Sequence, residues 1–203
     1  VETIYDVPLK MLEEGLDKVV LDKLGVKTKN KPDLKDWNLF LEKFKNPKKT
    51  VKVGLIGKYV ELKDSYKSIL ESLIHAGAIN ETEVEVVTIH SEHINKKNIS
   101  EKLKLLNGLI VAPGFGQRGI EGKIEAIRFS REKNIPFFGI CLGMQMAVIE
   151  YARNKLKYTE ANSTEMDPNS NFPVIDLMES QKKIKSKGGT MRLGAWSCKL
   201  LKG

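Results

Sequence analysis

The chain has 203 residues, 41% of them apolar and 30% charged, with a formal net charge of +8 from 34 basic and 26 acidic side chains. That length suits one domain, or one domain with an arm, and the composition excludes a disordered chain; no apolar run approaches the roughly 18 residues that a transmembrane helix needs. Only five of the basic residues are Arg, and lysine without arginine or an aromatic-rich basic motif is a poor signature for phosphate or base recognition, so the charge reads as a solvated lysine coat and not as a nucleic-acid surface.

In chain order, residues 1–50 differ in texture from the rest, with Pro8, Pro32 and Pro47 among interspersed charges. The stretches 9–16 (LKMLEEGL) and 36–44 (DWNLFLEKF) have the spacing of short amphipathic helices, and 46–49 reads as a turn. Segment 1–50 is therefore expected to be an arm or linker ahead of a main domain at 51–203. From 51 onward short apolar runs alternate with helical patterns. Strands are expected at 51–57 (VKVGLIG), 84–90 (VEVVTIH), 107–113 (NGLIVAP) and 136–141 (PFFGIC). Helices are expected at 65–78, with Asp64 or Ser65 as N-cap, at 121–133 and at 142–154. That alternation predicts an α/β fold, a mostly parallel sheet with helices on both faces. Beyond 155 the chain reads as polar and irregular, with 181–187 (QKKIKSK) as a mobile loop.

The N-terminus, Val1-Glu2-Thr3, has no initiator Met, no basic n-region and no signal-peptide core; it reads as a chain processed or cut from something longer. Two cysteines cannot build a disulfide framework, and with no export signal a cytoplasmic location is expected. His75, His90 and His93 form no zinc-ligand spacing with them, so no metal site is expected.

The sharpest motif is Gly139-Ile140-Cys141-Leu142-Gly143, where a predicted strand meets a predicted helix. It has the form of a nucleophile elbow with Cys141 as nucleophile. Such a turn is strained, and the residues on either side of the nucleophile must be small for strand and helix to approach. The turn exposes the sulfur at the carboxyl end of the sheet, and a helix N-terminus favours thiolate over thiol. The N–H of Leu142 is placed to help hold an oxyanion. The bland alternative is a buried structural cysteine, which the flanking glycines oppose.

Pro113-Gly114-Phe115-Gly116-Gln117-Arg118-Gly119 ends the preceding strand. Its Gly-x-Gly-x-x-Gly spacing imitates a dinucleotide fingerprint, but that reading needs an acid at the end of the next strand, where Cys141 stands instead. The loop reads as a backbone strap facing the thiol, with Gly114 as an oxyanion donor; a plain surface turn is the alternative. A cysteine nucleophile usually has a histidine base. His75 reads as a helix-surface or packing residue, and nothing in the spacing brings His90 or His93 to the elbow, so the base is missing from the pattern. Cys198 lacks elbow glycines and reads as structural. The run 180–203 holds seven Lys/Arg and no acid; it reads as a surface whose acidic neighbours lie in sequence not present here, with a phosphate-binding edge as the alternative.

Together, 136–145 (PFFGICLGMQ), the loop from Gly114 through Glu121-Gly122-Lys123, 161–165 (ANSTE) and 188–194 (GGTMRLG) resemble the CTP synthase family, in its C-terminal class I glutamine amidotransferase domain. Gly57-Lys58-Tyr59 with Asp64-Ser65-Tyr66 is similar to that domain's first strand and helix, and 1–9 to the join after the family's synthetase domain. The elbow alone would fit any class I amidotransferase. The resemblance implies that Cys141 attacks the glutamine carboxamide and that Gly114 holds the oxyanion and contacts glutamine. It implies that Leu142, Gly143, Met144 and Gln145 line the glutamine pocket and that Glu165 holds the substrate's α-amino group, for which a carboxylate is suited. Gly116, Arg118 and Gly119 fall in a lid associated with GTP activation.

The same resemblance implies no cofactor in this domain, ATP and magnesium in a synthetase domain that converts UTP to CTP, and a homotetramer in the full protein. The family has Gly-Gly-Phe-Gly where this chain has Pro113-Gly114-Phe115-Gly116, a stiffer loop. Its catalytic His and Glu, and a glutamine-contacting Arg, lie beyond Gly203. The chain is accordingly expected to lack both the synthetase domain and the C-terminal part of the amidotransferase domain, and to be inactive alone. The rival readings are an amidotransferase or cysteine hydrolase of another pathway, and a non-catalytic regulatory module of the same fold.

Overall fold

The structure is a computed structural model that describes residues 1–178 together with Ser197 and Lys199. The expectations for 181–187, for the 188–194 motif, for Cys198 and for most of the basic run at 180–203 lie outside the described residues. Four strands, β1 (Lys49–Gly57), β2 (Thr82–His90), β3 (Gly108–Val111) and β4 (Phe137–Gly139), pair in parallel in the order β2-β1-β3-β4. Helices α4 (Lys67–Ile79), α5 (Ile99–Leu103) and α6 (Ile120–Glu132) make the crossovers, and α7 (Leu142–Asn154) follows β4. This is the α/β architecture expected from the alternation of apolar runs and helical patterns.

Successive strand residues point to opposite faces, and the core divides accordingly. Leu55 and Ile110 pack with Tyr66 and Ala112 on the α4 face. Ile56, Leu109 and Val111 pack on the other face with Ile99, Leu103, Ile120, Ile124, Ile127, Met146 and Ile149 of α5, α6 and α7. Burial on both faces explains why these strands read as continuous apolar runs and not as alternating ones.

Three features differ from the sequence expectation. The stretch 9–16 is not one helix: Gly15 takes φ 69°, ending α1 (Val7–Glu13) and opening α2 (Leu16–Leu24), ahead of α3 (Lys35–Lys45). Neither Asp64 nor Ser65 caps α4. A short 3-10 turn at Lys63–Tyr66 precedes it and Tyr66 is the N-cap, because the Tyr66 ring turns inward and its hydroxyl accepts the backbone N–H groups of Lys58 at 3.2 Å and Tyr59 at 3.3 Å. The segment after 155 is not wholly irregular, since β5 (Ala161–Ser163) and β6 (Phe172–Ile175) form a separate parallel pair.

The helices of 1–46 meet α4 through Tyr5. Its ring lies 5.2 Å from Phe40 and 5.6 Å from His75, its carbonyl accepts the Trp37 indole N–H at 2.9 Å, and its hydroxyl reaches Glu71 and, at 3.0 Å, His75 Nε2. Burial, then the hydrogen bond to Glu71 and its charge, push the phenol up to about 12. His75 is thus an exposed helix-surface residue whose ring packs against Tyr5 and Phe40, within the helix-surface or packing role its context suggested.

Helices α6 and α7 are joined by Glu150, which is 1% exposed and accepts from Arg131 at 2.7 and 3.0 Å and from Asn154 at 3.1 Å. Removing one partner of such a pair leaves the other charge partly desolvated. Glu150→Ala is expected to lower stability by about 2–3 kcal/mol, the worth of hydrogen bonds between charged groups. A denaturant melt checks this, and an unchanged midpoint would show the pair to be dispensable.

Candidate active site

The elbow is built as the glycine spacing predicts. Cys141 is the N-cap of α7 with φ 54° and ψ −108°, a conformation non-glycine residues adopt only under constraint. A Cβ at Gly139 would lie 2.6 Å from the Gly143 carbonyl carbon and the Met144 nitrogen, and one at Gly143 would overlap the Val111 carbonyl oxygen. β4 and α7 can therefore meet β3 at this distance only without those side chains. The turn is fastened by Ile140 N–H to Val111 O at 3.1 Å and Gly143 N–H to Ile140 O at 2.9 Å, while the Cys141 carbonyl accepts from Met144 and Gln145 at 3.1 Å. Leu142 is buried and anchors the first turn of α7, whereas Cys141 and Met144 are exposed and Gln145 is half-buried. The Leu142 N–H stands at the first helical position, where no intrahelical acceptor exists.

The loop after β3 is held by three elements. Gly114 has φ 135° and lies against the Lys58 side chain. Lys58, 5% exposed at the end of β1, donates from Nζ to the Phe115 carbonyl. Gly116 N–H donates to Glu165 Oε1 at 3.2 Å, and Gln117 Nε2 to the Met166 carbonyl at 2.6 Å. Arg118 pairs with Glu92 at 3.1 Å beyond β2 and lies over the Tyr59 ring. The structure thus brings Glu165 to the glycine loop, beside Gly116, and places Gly119 as the N-cap of α6.

Two buried ammonium groups border this loop that the lysine-coat reading missed. Besides Lys58, Lys123 on α6 is fully buried and donates from Nζ to the Ala112 carbonyl at 2.9 Å. The signal was present in the sequence: position 123 falls in the apolar register of Ile120, Ile124 and Ile127. Burial first, then the Lys58 charge, push Lys123 down to about 8, and the Cys141 sulfur acts in the opposite direction.

No histidine serves the elbow. His90 and His93 stack at 4.7 Å just beyond β2, and His90 Nδ1 accepts the Glu92 N–H at 3.3 Å. β1 and β3 lie between β2 and β4, so at about 4.8 Å per strand step roughly 14 Å separates the ends of β2 and β4. Among the described residues no group of three or more His, Cys, Asp or Glu is arranged to hold a metal ion, and no helix is long and apolar enough to cross a membrane.

An exposed cysteine in a strained strand-to-helix turn, at the carboxyl edge of a parallel sheet beside a glycine loop, is the architecture of a class I amidotransferase. The family model for Glutamine amidotransferase class-I matches residues 61–203, and the chain belongs to that family. It is 69% identical over 198 residues to the CTP synthase of Flavobacterium psychrophilum, covering 98% of this chain and 37% of that protein. It is 59% identical over 202 residues to the CTP synthase of Cytophaga hutchinsonii, covering 38% of it. The chain therefore spans little more than a third of the length of these curated relatives. Among solved structures it is similar to the glutaminase domain of Trypanosoma brucei CTPS with bound acivicin, with a TM-score of 0.60 and 34% identity over 65% of this chain and 52% of that one.

Because the Val111 carbonyl fills the space beside Gly143, Gly143→Ala must push α7 away from β3. Overpacking of this kind costs about 1–3 kcal/mol, and alkylation of Cys141 by iodoacetamide is expected to slow with it. A thermal melt and an alkylation rate, both at wild-type values, would show that the elbow has room.

Proposed function

We propose that this chain is the ammonia-supplying glutaminase part of a CTP synthase. The observation that carries the reading is the Cys141 elbow at positive φ, opening beside the Gly114 loop. The Cys141 sulfur attacks the glutamine carboxamide carbon. The oxyanion of the tetrahedral intermediate rests on backbone N–H groups, that of Leu142 and one from the loop at Gly114. Collapse breaks the C–N bond and releases ammonia, with the thiol proton leaving on the nitrogen. Water then cleaves the γ-glutamyl thioester, giving glutamate and the free thiol. Leu142, Gly143, Met144 and Gln145 line the substrate pocket. Glu165 takes the substrate's ammonium, and its hydrogen bond to Gly116 ties that contact to the loop. Gly116, Arg118 and Gly119 belong to a lid that responds to GTP.

In the same reading residues 1–50 are the arm between this domain and a synthetase domain. That domain uses ATP and magnesium to activate the UTP 4-oxygen, which the ammonia displaces, within a cytoplasmic homotetramer. The 69% identity to a CTP synthase supports this over an amidotransferase of another pathway. The strain retained at Cys141 supports an enzyme over a regulatory module, since an idle site has no use for it.

In the full-length protein Cys141→Ala is expected to abolish glutamine-dependent CTP formation and leave ammonia-dependent formation intact. CTP production monitored with each nitrogen source checks this, and persisting glutamine use would overturn the nucleophile. Glu165→Gln keeps an oxygen for Gly116 N–H but loses the charge facing the ammonium. A contact to a charged group is worth about 1.5–3 kcal/mol, so the glutamine KM is expected to rise about tenfold or more with kcat little changed. A collapse of kcat at constant KM would instead give Glu165 a part in the chemistry.

A further inference from the structure

We propose that Lys58 is a positioning residue of the oxyanion site: its buried ammonium and the Glu165 carboxylate grip opposite ends of one peptide unit, Phe115–Gly116, and so fix the direction of the Gly114 loop. This deepens the glutaminase reading and rests on Gly114 being an oxyanion donor.

Two hydrogen bonds converge on that unit. The Phe115 carbonyl accepts from Lys58 Nζ, and the Gly116 N–H donates to Glu165 Oε1 at 3.2 Å. None of the described peptides is cis, and in a planar trans unit the C=O and N–H point to opposite sides of the chain. A cation therefore lies at the negative end of the peptide dipole and an anion at its positive end. A half-turn of the unit would set the carbonyl against the carboxylate and the N–H against the ammonium. The two charges thus favour one orientation and oppose the other.

The backbone does not settle this orientation by itself. Gly114 and Gly116, at φ 135° and 83°, flank Phe115, and glycine has the widest conformational freedom. Among the described residues, the backbone groups of 113–116 make no hydrogen bond to other backbone groups. The Phe115 side chain, 44% exposed, gives little anchorage. Lys58 supplies what is missing. It is 5% exposed, where lysine is rare without a partner, and its ammonium donates to the Phe115 carbonyl and lies 5.6 Å from the Tyr59 ring centroid. Its stem runs beneath the loop: a Cβ at Gly114 would lie 3.2 Å from Lys58 Cε, and one at Gly116 3.9 Å from Nζ. An apolar side chain of equal length would fill this space without desolvating a charge, so packing does not account for the ammonium.

The grip reaches the oxyanion through a short span. Upstream, Ala112 is fixed by its N–H to Ile56 O at 2.8 Å and by its carbonyl, which accepts from Lys123 at 2.9 Å. Downstream, the Phe115 carbonyl is fixed by Lys58. Between these points lie Pro113, whose ring sets its φ, and Gly114. With both ends held, the direction of the Gly114 N–H follows. An oxyanion donor acts only at hydrogen-bond distance from the developing charge, and a misplacement of about 1 Å can cost about 10²-fold in rate. Loss of the grip is therefore felt in the chemical step before it is felt in binding.

The test uses the full-length protein and its Lys58→Met variant, which keeps the length of the side chain and removes the ammonium. Glutaminase kcat is expected to fall about ten- to a hundredfold with the glutamine KM within about twofold. Amide hydrogen exchange at Gly116, read by fragmentation mass spectrometry, is expected to quicken several-fold while the strands keep their protection. A kcat held at its wild-type value would overturn the proposal, as would unchanged exchange at Gly116. So would faster exchange spread through β1 and β3, which is what a merely structural role gives.

If that variant does not fold, Glu165 carries the test from the other end of the peptide. Glu165→Gln keeps an oxygen for the Gly116 N–H, and Glu165→Ala removes it. The Ala variant is expected to show a kcat several-fold below that of the Gln variant, with faster exchange at Gly116. Equal kcat values in the two would overturn the proposal. The exchange readout does not depend on glutamine. Exchange quickened by Lys58→Met, in a protein whose wild-type form does not hydrolyse glutamine, would keep the peptide grip and remove the glutaminase reading. Hydrolysis with kcat and exchange both unmoved by Lys58→Met would remove the role of Lys58 alone.

Discussion

The carbonyl oxygen of Val111, the last residue of β3, is the point against which the site is built. It accepts Ile140 N–H from the turn and occupies the space that a side chain at Gly143 would need. α7 consequently starts in direct contact with β3, and the chain leaves β4 and enters that helix through a residue at positive φ. That residue is Cys141. The strain, of order 1–3 kcal/mol for such a conformation, is offset by everything that keeps α7 seated. Met146 and Ile149 are fully buried in the core and Glu150 is bound to Arg131. The position of the sulfur follows from the packing of two helices and a strand, and not from any contact the sulfur itself makes.

The glycine loop is the counterpart of the elbow, and it is held differently. The elbow is fixed by backbone against backbone. The loop is fixed largely by side chains reaching in from other elements: Lys58 from β1, Glu92 from the turn after β2, and Glu165 from the turn after β5. A loop held by such contacts can be shifted by replacing them one at a time. That suits the role of a lid proposed for this segment, because each contact is worth only a fraction of the total. The hydrogen bond from Gly116 to Glu165 places the proposed ammonium acceptor and the glycine loop in one network.

Much of this was legible in the sequence. The parallel sheet followed from four apolar runs separated by helical patterns, and the elbow from two glycines flanking a cysteine where a run met a helix. In both cases the physical constraint acts between residues close in the chain. What escaped were features fixed at long range. Tyr66 is drawn inward by the N–H groups of Lys58 and Tyr59, so the apparent caps at Asp64 and Ser65 were overridden. The β5–β6 pair, with strands of three and four residues, is too short to announce itself by periodicity. Arg118 and Glu92 are 26 positions apart, and nothing in their spacing tells that β2 and the loop end side by side.

The lysines show the same division most clearly. A net charge of +8 invites one explanation for all of them, and for the exposed majority a solvated coat is adequate. Lys58 and Lys123 do not belong to it. Both are buried, both donate to carbonyls of the 112–115 segment, and the Lys58 charge disfavours that of Lys123. Two like charges kept in a protein interior around one short loop cost stability that an apolar pair would not. The cost is intelligible in the proposed reaction, in which the loop and the turn it faces meet negative charge: first a thiolate, then an oxyanion two bonds away. A positive interior beneath a site that becomes negative is electrostatic preorganisation. It links two buried ammonium groups to the same few backbone groups that set the elbow.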